Sequence, residues 1–203
     1  MKWGEYITSL LKKPVVLFST ATTGVNSDDC LLAVSYQFKG GDNSSGTLFY
    51  SAPASCALQG VEYHKITMHT LSTRGLQAPD FAEAVNNLFK LGTPFSYNPA
   101  FQASALTDMA DCEPVFIHDL PLLMKLAMSR FALPAEDLDK ICTLPELEYM
   151  AKKMAGQPPP FKRLMRACNI TTDPYTDELP VVTNVQILNQ LWEKLCDIEM
   201  ATY

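Results

Sequence analysis

The sequence predicts a mixed α/β fold, with about five strands in one sheet flanked by helices. Three observations carry this reading. Apolar, β-branched stretches at 14–19, 30–38 and 46–51 come first. A turn by composition, Lys39-Gly40-Gly41-Asp42-Asn43-Ser44-Ser45-Gly46, joins the second to the third as an antiparallel hairpin. Helix-like and strand-like segments then alternate to the end of the chain.

Taken in order, Val15-Val16-Leu17-Phe18 makes 14–19 a buried strand that runs into a Thr22-Thr23-Gly24 turn. Leu31, Leu32, Ala33, Val34 and Tyr36 give the second strand the apolar density of a central position. Pro79-Asp80 opens a helix over 79–91, with Phe81, Val85, Leu88 and Phe89 at helical spacing. A short strand at 94–97, a helix at 99–110 and a strand at 114–117 follow. Leu122, Leu123, Leu126 and Ala127 share one side of a helix over 119–131, and a further helix is expected at 145–154, before the stop at Pro158-Pro159-Pro160. Val181, Val185, Leu188, Trp192 and Leu195 then mark the clearest amphipathic helix. No repeat or composition break divides the 203 residues, so the expectation is one domain over 1–203.

With 47% hydrophobic and 19% charged residues, the composition excludes a disordered chain. No apolar run reaches the length of a membrane span, and Met1-Lys2-Trp3-Gly4-Glu5-Tyr6 lacks the pattern of a secretion signal, so a cytoplasmic location is expected. Cysteines 30, 56, 112, 142, 168 and 196 show no Cys-x-x-Cys spacing, which argues against zinc and predicts reduced, mostly buried thiols. A net charge of −6 argues against tight nonspecific binding to nucleic acid, although it leaves room for a local site.

Four short segments share an order. Phe18-Ser19-Thr20-Ala21-Thr22-Thr23-Gly24 follows the first strand, and His64-Lys65-Ile66-Thr67 precedes the helix bearing Pro79, Phe81 and Val85. Ser96-Tyr97-Asn98-Pro99-Ala100-Phe101-Gln102 comes next, and His118-Asp119-Leu120 closes a strand. This series resembles the DEDDh 3′–5′ exonucleases, the proofreading type with a ribonuclease H-like fold, over roughly residues 14–199. The resemblance implies that fold, a cleft at the end of the first strand, and two magnesium or manganese ions held by four carboxylates beside a histidine base. It also shows what is missing. Ser19 and Ala21 stand for the Asp and Glu of the first motif, and Gln102 for the Asp of the second. In the last motif Leu179 stands for the His and Asn184 for the Asp.

Two-metal hydrolysis clamps the attacking and leaving oxygens of a phosphodiester, and magnesium needs anionic oxygens to hold it beside phosphate. Ser19, Ala21, Gln102 and Asn184 supply no formal charge, and Leu179 cannot accept a proton from water. The expectation is a catalytically inactive, exonuclease-like binding or scaffolding module with no metal and no cofactor. Thr22, Thr23, Tyr97, Asn98 and Phe101 are then candidate contacts to a single-stranded nucleic acid held weakly, and a protein is the other candidate partner. The alternative is an unconventional nuclease that recruits Asp119, Asp177 or Glu178.

Other features support bland readings. Lys152, Lys153, Lys162, Arg163 and Arg166 read as a solvated helical face balanced by Glu146 and Glu148, or as a phosphate-tracking patch. His64 and His69 lie five apart with no partner at ligand spacing, and Asp28 and Asp29 read as loop charge. Ser19 has no Gly-x-Ser-x-Gly elbow that would make it a nucleophile.

Overall fold

Strand β1 (Val15–Thr22) is buried up to its last residue, and that burial follows from its position between two neighbours. The structure is a computed structural model, which describes residues 9, 12–24, 29–41, 43–52, 60–129, 170 and 178–200. Strands β2 (Leu31–Lys39) and β3 (Ser45–Tyr50) form the hairpin read from the sequence, and β2 pairs antiparallel with β1, placing Ser19 opposite Ser35. Gly40, Gly41 and Asn43 carry positive φ in the connecting turn, where Gly and Asn tolerate that region best. On the other side, β1 pairs in parallel with β5 (Thr93–Ser96). The sheet runs β4-β3-β2-β1-β5-β6, with β4 at Gly75–Leu76 and β6 at His118–Asp119.

Three features of this sheet correct the sequence reading. Six strands replace the expected five, because β4 adds a two-residue parallel pairing to β3 that no periodicity could announce. The apolar run at 114–117 is not a strand, and pairing with β5 begins only at His118. Strand β1 continues past 19 to Thr22, so Ser19 and Ala21 lie within it rather than at its end.

Short helices α1 (Val61–His64) and α2 (Met68–Arg74), both unread in the sequence, lead into β4. The Thr67 hydroxyl caps α2 by accepting from the Thr70 N–H. Helix α3 (Ala78–Leu91) has Pro in its first turn and buries Phe81, Val85 and Leu88. Helix α4 (Pro99–Ala110) begins directly after β5, and α5 (Leu120–Ser129) directly after β6. Helix α6 (Pro180–Met200) is the predicted C-terminal helix. The expected helix at 145–154 and the basic cluster at 152–166 lie outside the described residues.

The alternation of β1 sorts the core into two layers. Val16 and Phe18 face α3 and α4, packing with Phe81, Val85, Leu88, Ala105 and Leu106. Ala21 faces the other way, into a cluster with Leu32, Ala33, Phe49, Ile66, Leu71 and Val181. Helix α6 crosses this second face antiparallel to β1: Val181 meets Ala21, Asn184 meets Ser19, and Glu193 reaches Lys39, the residue paired with Val15. Among the described residues, no helix is long and apolar enough to cross a membrane.

Candidate functional site

The site forms where β1 outruns β5. The last parallel pair is Leu17 with Phe95, so beyond it the Phe18 carbonyl and the Thr20 N–H lose their ladder partners. Side chains replace them. The Ser96 hydroxyl donates to the Phe18 carbonyl, and the Thr20 N–H donates to Gln102 Oε1 at 3.0 Å. Gln102 reaches β1 because Asn98 adopts φ 49°, ψ 61° and turns the chain sharply from β5 into α4, where Pro99 occupies the first turn. Gln102 is fully buried, and its Nε2 has no hydrogen-bond partner among the described residues. The same holds for the Thr20 hydroxyl, so two polar groups are unsatisfied on adjoining residues.

On the opposite face, Asn184 Nδ2 donates long hydrogen bonds to Ser19 Oγ at 3.4 Å and to the Tyr97 hydroxyl at 3.3 Å. Ala21 and Leu179 meet in the apolar cluster around Ile66, Leu71 and Val181. The residues singled out by the motif series therefore gather at one end of β1 in two groups. Ser19, Gln102 and Asn184 are neutral polar groups bonded to β1 or to one another. Ala21 is buried in the core, and half-buried Leu179 packs against the same cluster.

The Thr22-Thr23-Gly24 turn spends its hydroxyls locally. Thr22 Oγ1 donates to the Gly24 carbonyl at 2.6 Å, and Thr23 Oγ1 donates to Asp29 at 3.0 Å while accepting from the Cys30 N–H at 2.9 Å. A Cβ on Gly24 would lie 2.5 Å from Asp29 Oδ2, so the absent side chain lets that carboxylate close in. Asp29 is thus a turn-fixing residue and not solvated loop charge, and a Thr-to-Asp spacing of six gave no signal of this. Tyr97 and Phe101 are half-buried, and Asn98 is exposed. Cys30 is disulfide-bonded, which corrects the expectation of reduced thiols throughout, while Cys112 and Cys196 are free.

The substitute carboxylates are engaged elsewhere. Asp119 Oδ1 accepts from the Leu122 N–H and caps α5, and Glu178 accepts from Gln186 Nε2 at 2.6 Å. Asp177 lies outside the described residues. Buried His64 accepts from the Ile66 N–H at Nδ1, which ties it to the α1–α2 connection. Among the described residues, no three of His, Cys, Asp and Glu lie close enough together to hold a metal ion. Ser19, Gln102 and Asn184 carry no charge, so by themselves they offer a divalent cation neutral oxygens and no counter-charge.

No family model and no curated protein matches this sequence. Solved structures do match. A product-bound exonuclease I superposes with a TM-score of 0.56 at 13% identity, over 93% of this chain and 45% of that one. The E. coli exonuclease I in complex with a dT13 oligonucleotide gives 0.56 at 15% identity, over 91% of this chain and 41% of that one. A chain in the structure of the yeast NOT1 MIF4G domain co-crystallized with CAF1 gives 0.56 at 10% identity, over 97% of this chain and 84% of that one. The chain thus spans less than half the length of the exonuclease I structures it matches, and what it shares with them is a ribonuclease H-like fold.

Proposed function

We propose that this chain is an exonuclease-like domain that does not hydrolyse phosphodiesters and acts as a binding module, with single-stranded nucleic acid as its ligand. The carrying observation is that Gln102 is bonded to the Thr20 N–H and Asn184 to Ser19, all neutral groups, while Ala21 is buried in the apolar cluster against which Leu179 packs. Placing two divalent ions beside those groups would require burying cationic charge with no counter-charge, which costs several kcal/mol per ion. A water at this site would also meet no base. Tyr97 and Phe101 remain at the mouth for stacking, and exonuclease I, which shares the fold, has been crystallised with a single-stranded oligonucleotide. The engagement of Asp119 and Glu178 in local hydrogen bonds weighs against a nuclease built from replacement carboxylates.

The test is an end-labelled single-strand degradation assay, on DNA and on RNA, in magnesium and in manganese. The expected result is intact substrate together with weak, salt-sensitive binding by anisotropy. Processive nucleotide release that is abolished by chelator and by replacing Asp177 or Glu178 would overturn the proposal. Capture of a protein in place of any oligonucleotide would keep the inactive site but change the ligand.

A further inference from the structure

The opposite end of β1 carries a feature that the cleft does not explain. Two open depressions adjoin there and share Lys13 and Pro14. The first, of about 350 Å³, is lined by Lys12, Lys39, the Gly40-Gly41 turn and Trp192. The second, of about 390 Å³, adds Lys90 and Phe89. Four of the chain's 16 basic residues therefore surround one edge of a protein whose net charge is −6. Among the described residues, Lys39 alone of the four is in a salt bridge, with Glu193 at 3.3 Å.

The wall between the lysines is open. A Cβ on Gly41 would meet nothing within 4 Å, so a ligand can approach bare backbone there. Gly40 is pressed against Pro14, which fixes the turn beside Lys12 and Lys13. The two depressions share Lys13 and Pro14, one extending to Trp192 of α6 and the other to Phe89 and Lys90 of α3, so the lysines flank this strand end on both sides. A lone phosphate would occupy one depression, whereas a chain of phosphates at single-strand spacing can engage both.

We infer that this edge, around Pro14, binds the phosphodiester backbone of a single-stranded nucleic acid. The inference rests on the reading of the domain as a nucleic-acid binder, but it locates contact about 17 Å along β1 from Ser19, at roughly 3.3 Å per residue. The edge then supplies the electrostatic attraction that the neutral cleft lacks. Binding here is sequence-independent and falls with salt, with a slope of log K on log salt near −0.7 for each phosphate neutralised. Lys12, Lys13 and Lys90 together give about −2.

Trp192 lines the first depression and reports on it. In a Trp3→Phe background it is the remaining tryptophan of the two, so its fluorescence reads occupancy at this edge. The experiment titrates this protein with a single-stranded oligonucleotide over a range of salt. The expected results are quenching of Trp192, a salt slope of about −2, and a loss of affinity on the order of tenfold or more in the Lys12→Gln/Lys13→Gln/Lys90→Gln variant. Lys65→Gln, which removes an exposed lysine between α1 and α2, should leave the quenching in place. Lys13→Gln and Lys90→Gln tested singly give the same reading if the triple variant unfolds.

Three results would overturn the inference. Oligonucleotide binding that leaves Trp192 unquenched and disappears in Tyr97→Ala would put the ligand in the cleft and spare the proposed function. Absence of any oligonucleotide binding would remove both. Quenching by anionic phosphatidylserine vesicles but not by oligonucleotide would reassign the edge to a membrane surface.

Discussion

Replacing Gln102 by Glu tests the electrostatics of the site with a change of one atom type. Gln102 is fully buried, its Oε1 receives the Thr20 N–H, and its Nε2 donates to nothing among the described residues. A protonated glutamate reproduces this arrangement with its own O–H in place of the orphaned amide. An ionised one places a charge in the interior with a single N–H donor to stabilise it. Burial therefore raises the carboxyl pKa in Gln102→Glu above the unfolded value of about 4.3, by about two to three units for a fully buried group with one donor. A group whose folded pKa is raised contributes fully below its unfolded pKa and loses that contribution as pH climbs through the folded value. Each unit is worth about 1.4 kcal/mol, so the variant should match wild type at about pH 4 and fall about 3–4 kcal/mol below it at about pH 8. Urea unfolding of both proteins at a series of pH values measures the difference, and manganese at the higher pH should not remove it. A deficit that does not change with pH would show that Gln102 lies in solvated or cationic surroundings, and the description of a dry, neutral site would be wrong.

Burial, with Asp111 beside Cys112 and Asp197 beside Cys196 adding to it, pushes both thiols up to about 11. Below pH 8 both should therefore resist alkylation about 100-fold more than a free thiol of ordinary acidity, until the protein is unfolded. Their contribution to stability is complete below the unfolded thiol pKa and declines as pH rises toward 11, which an alkaline unfolding series will register. Gly60→Ala should cost about 2 kcal/mol in thermal or urea unfolding, because φ is 71° there and the new Cβ would meet the Thr23 carbonyl at 2.9 Å. Tyr97→Phe removes one long hydrogen bond from Asn184 and should cost about 1 kcal/mol or less. Restoring Asp at 19, 102 and 184 with Glu at 21 should lower stability without metal and recover it with manganese, yet leave nucleotide release negligible while position 179 remains Leu.

Long amphipathic or apolar segments were legible in the sequence. Strands β1 and β2 bury near-continuous apolar runs and helices α3 and α6 bury periodic sets large enough to declare themselves, while β3 was marked by the turn before it. What could not be read is short or fixed by partners distant in sequence. β4 consists of Gly75 and Leu76 and exists only because β3 lies beside it. The run Pro114-Val115-Phe116-Ile117 has strand composition, but Pro114 lacks a donor and Phe116 is 53% exposed, so pairing begins later, at His118. The site shows the same division. Motif order brought Ser19, Gln102 and Asn184 to attention, whereas the hydrogen bonds that tie Gln102 to Thr20 and Asn184 to Ser19 span separations of 82 and 165 residues and belong to the fold. The role of the Asp29 carboxylate went unread although its partner Thr23 is only six residues away, because that spacing marks no known turn.

The outermost strands of the sheet are each two residues long. A neighbouring chain that tried to extend the sheet would find room for little more than one pair of ladder hydrogen bonds on either of them, too few to offset the entropy of ordering its own backbone. Strands β1 and β2, long and apolar enough to seed a fibril if exposed, are set inside the sheet with a neighbour on each side. Among the described residues, an added strand would find its longer edge along 45–48 of β3, where β4 does not reach.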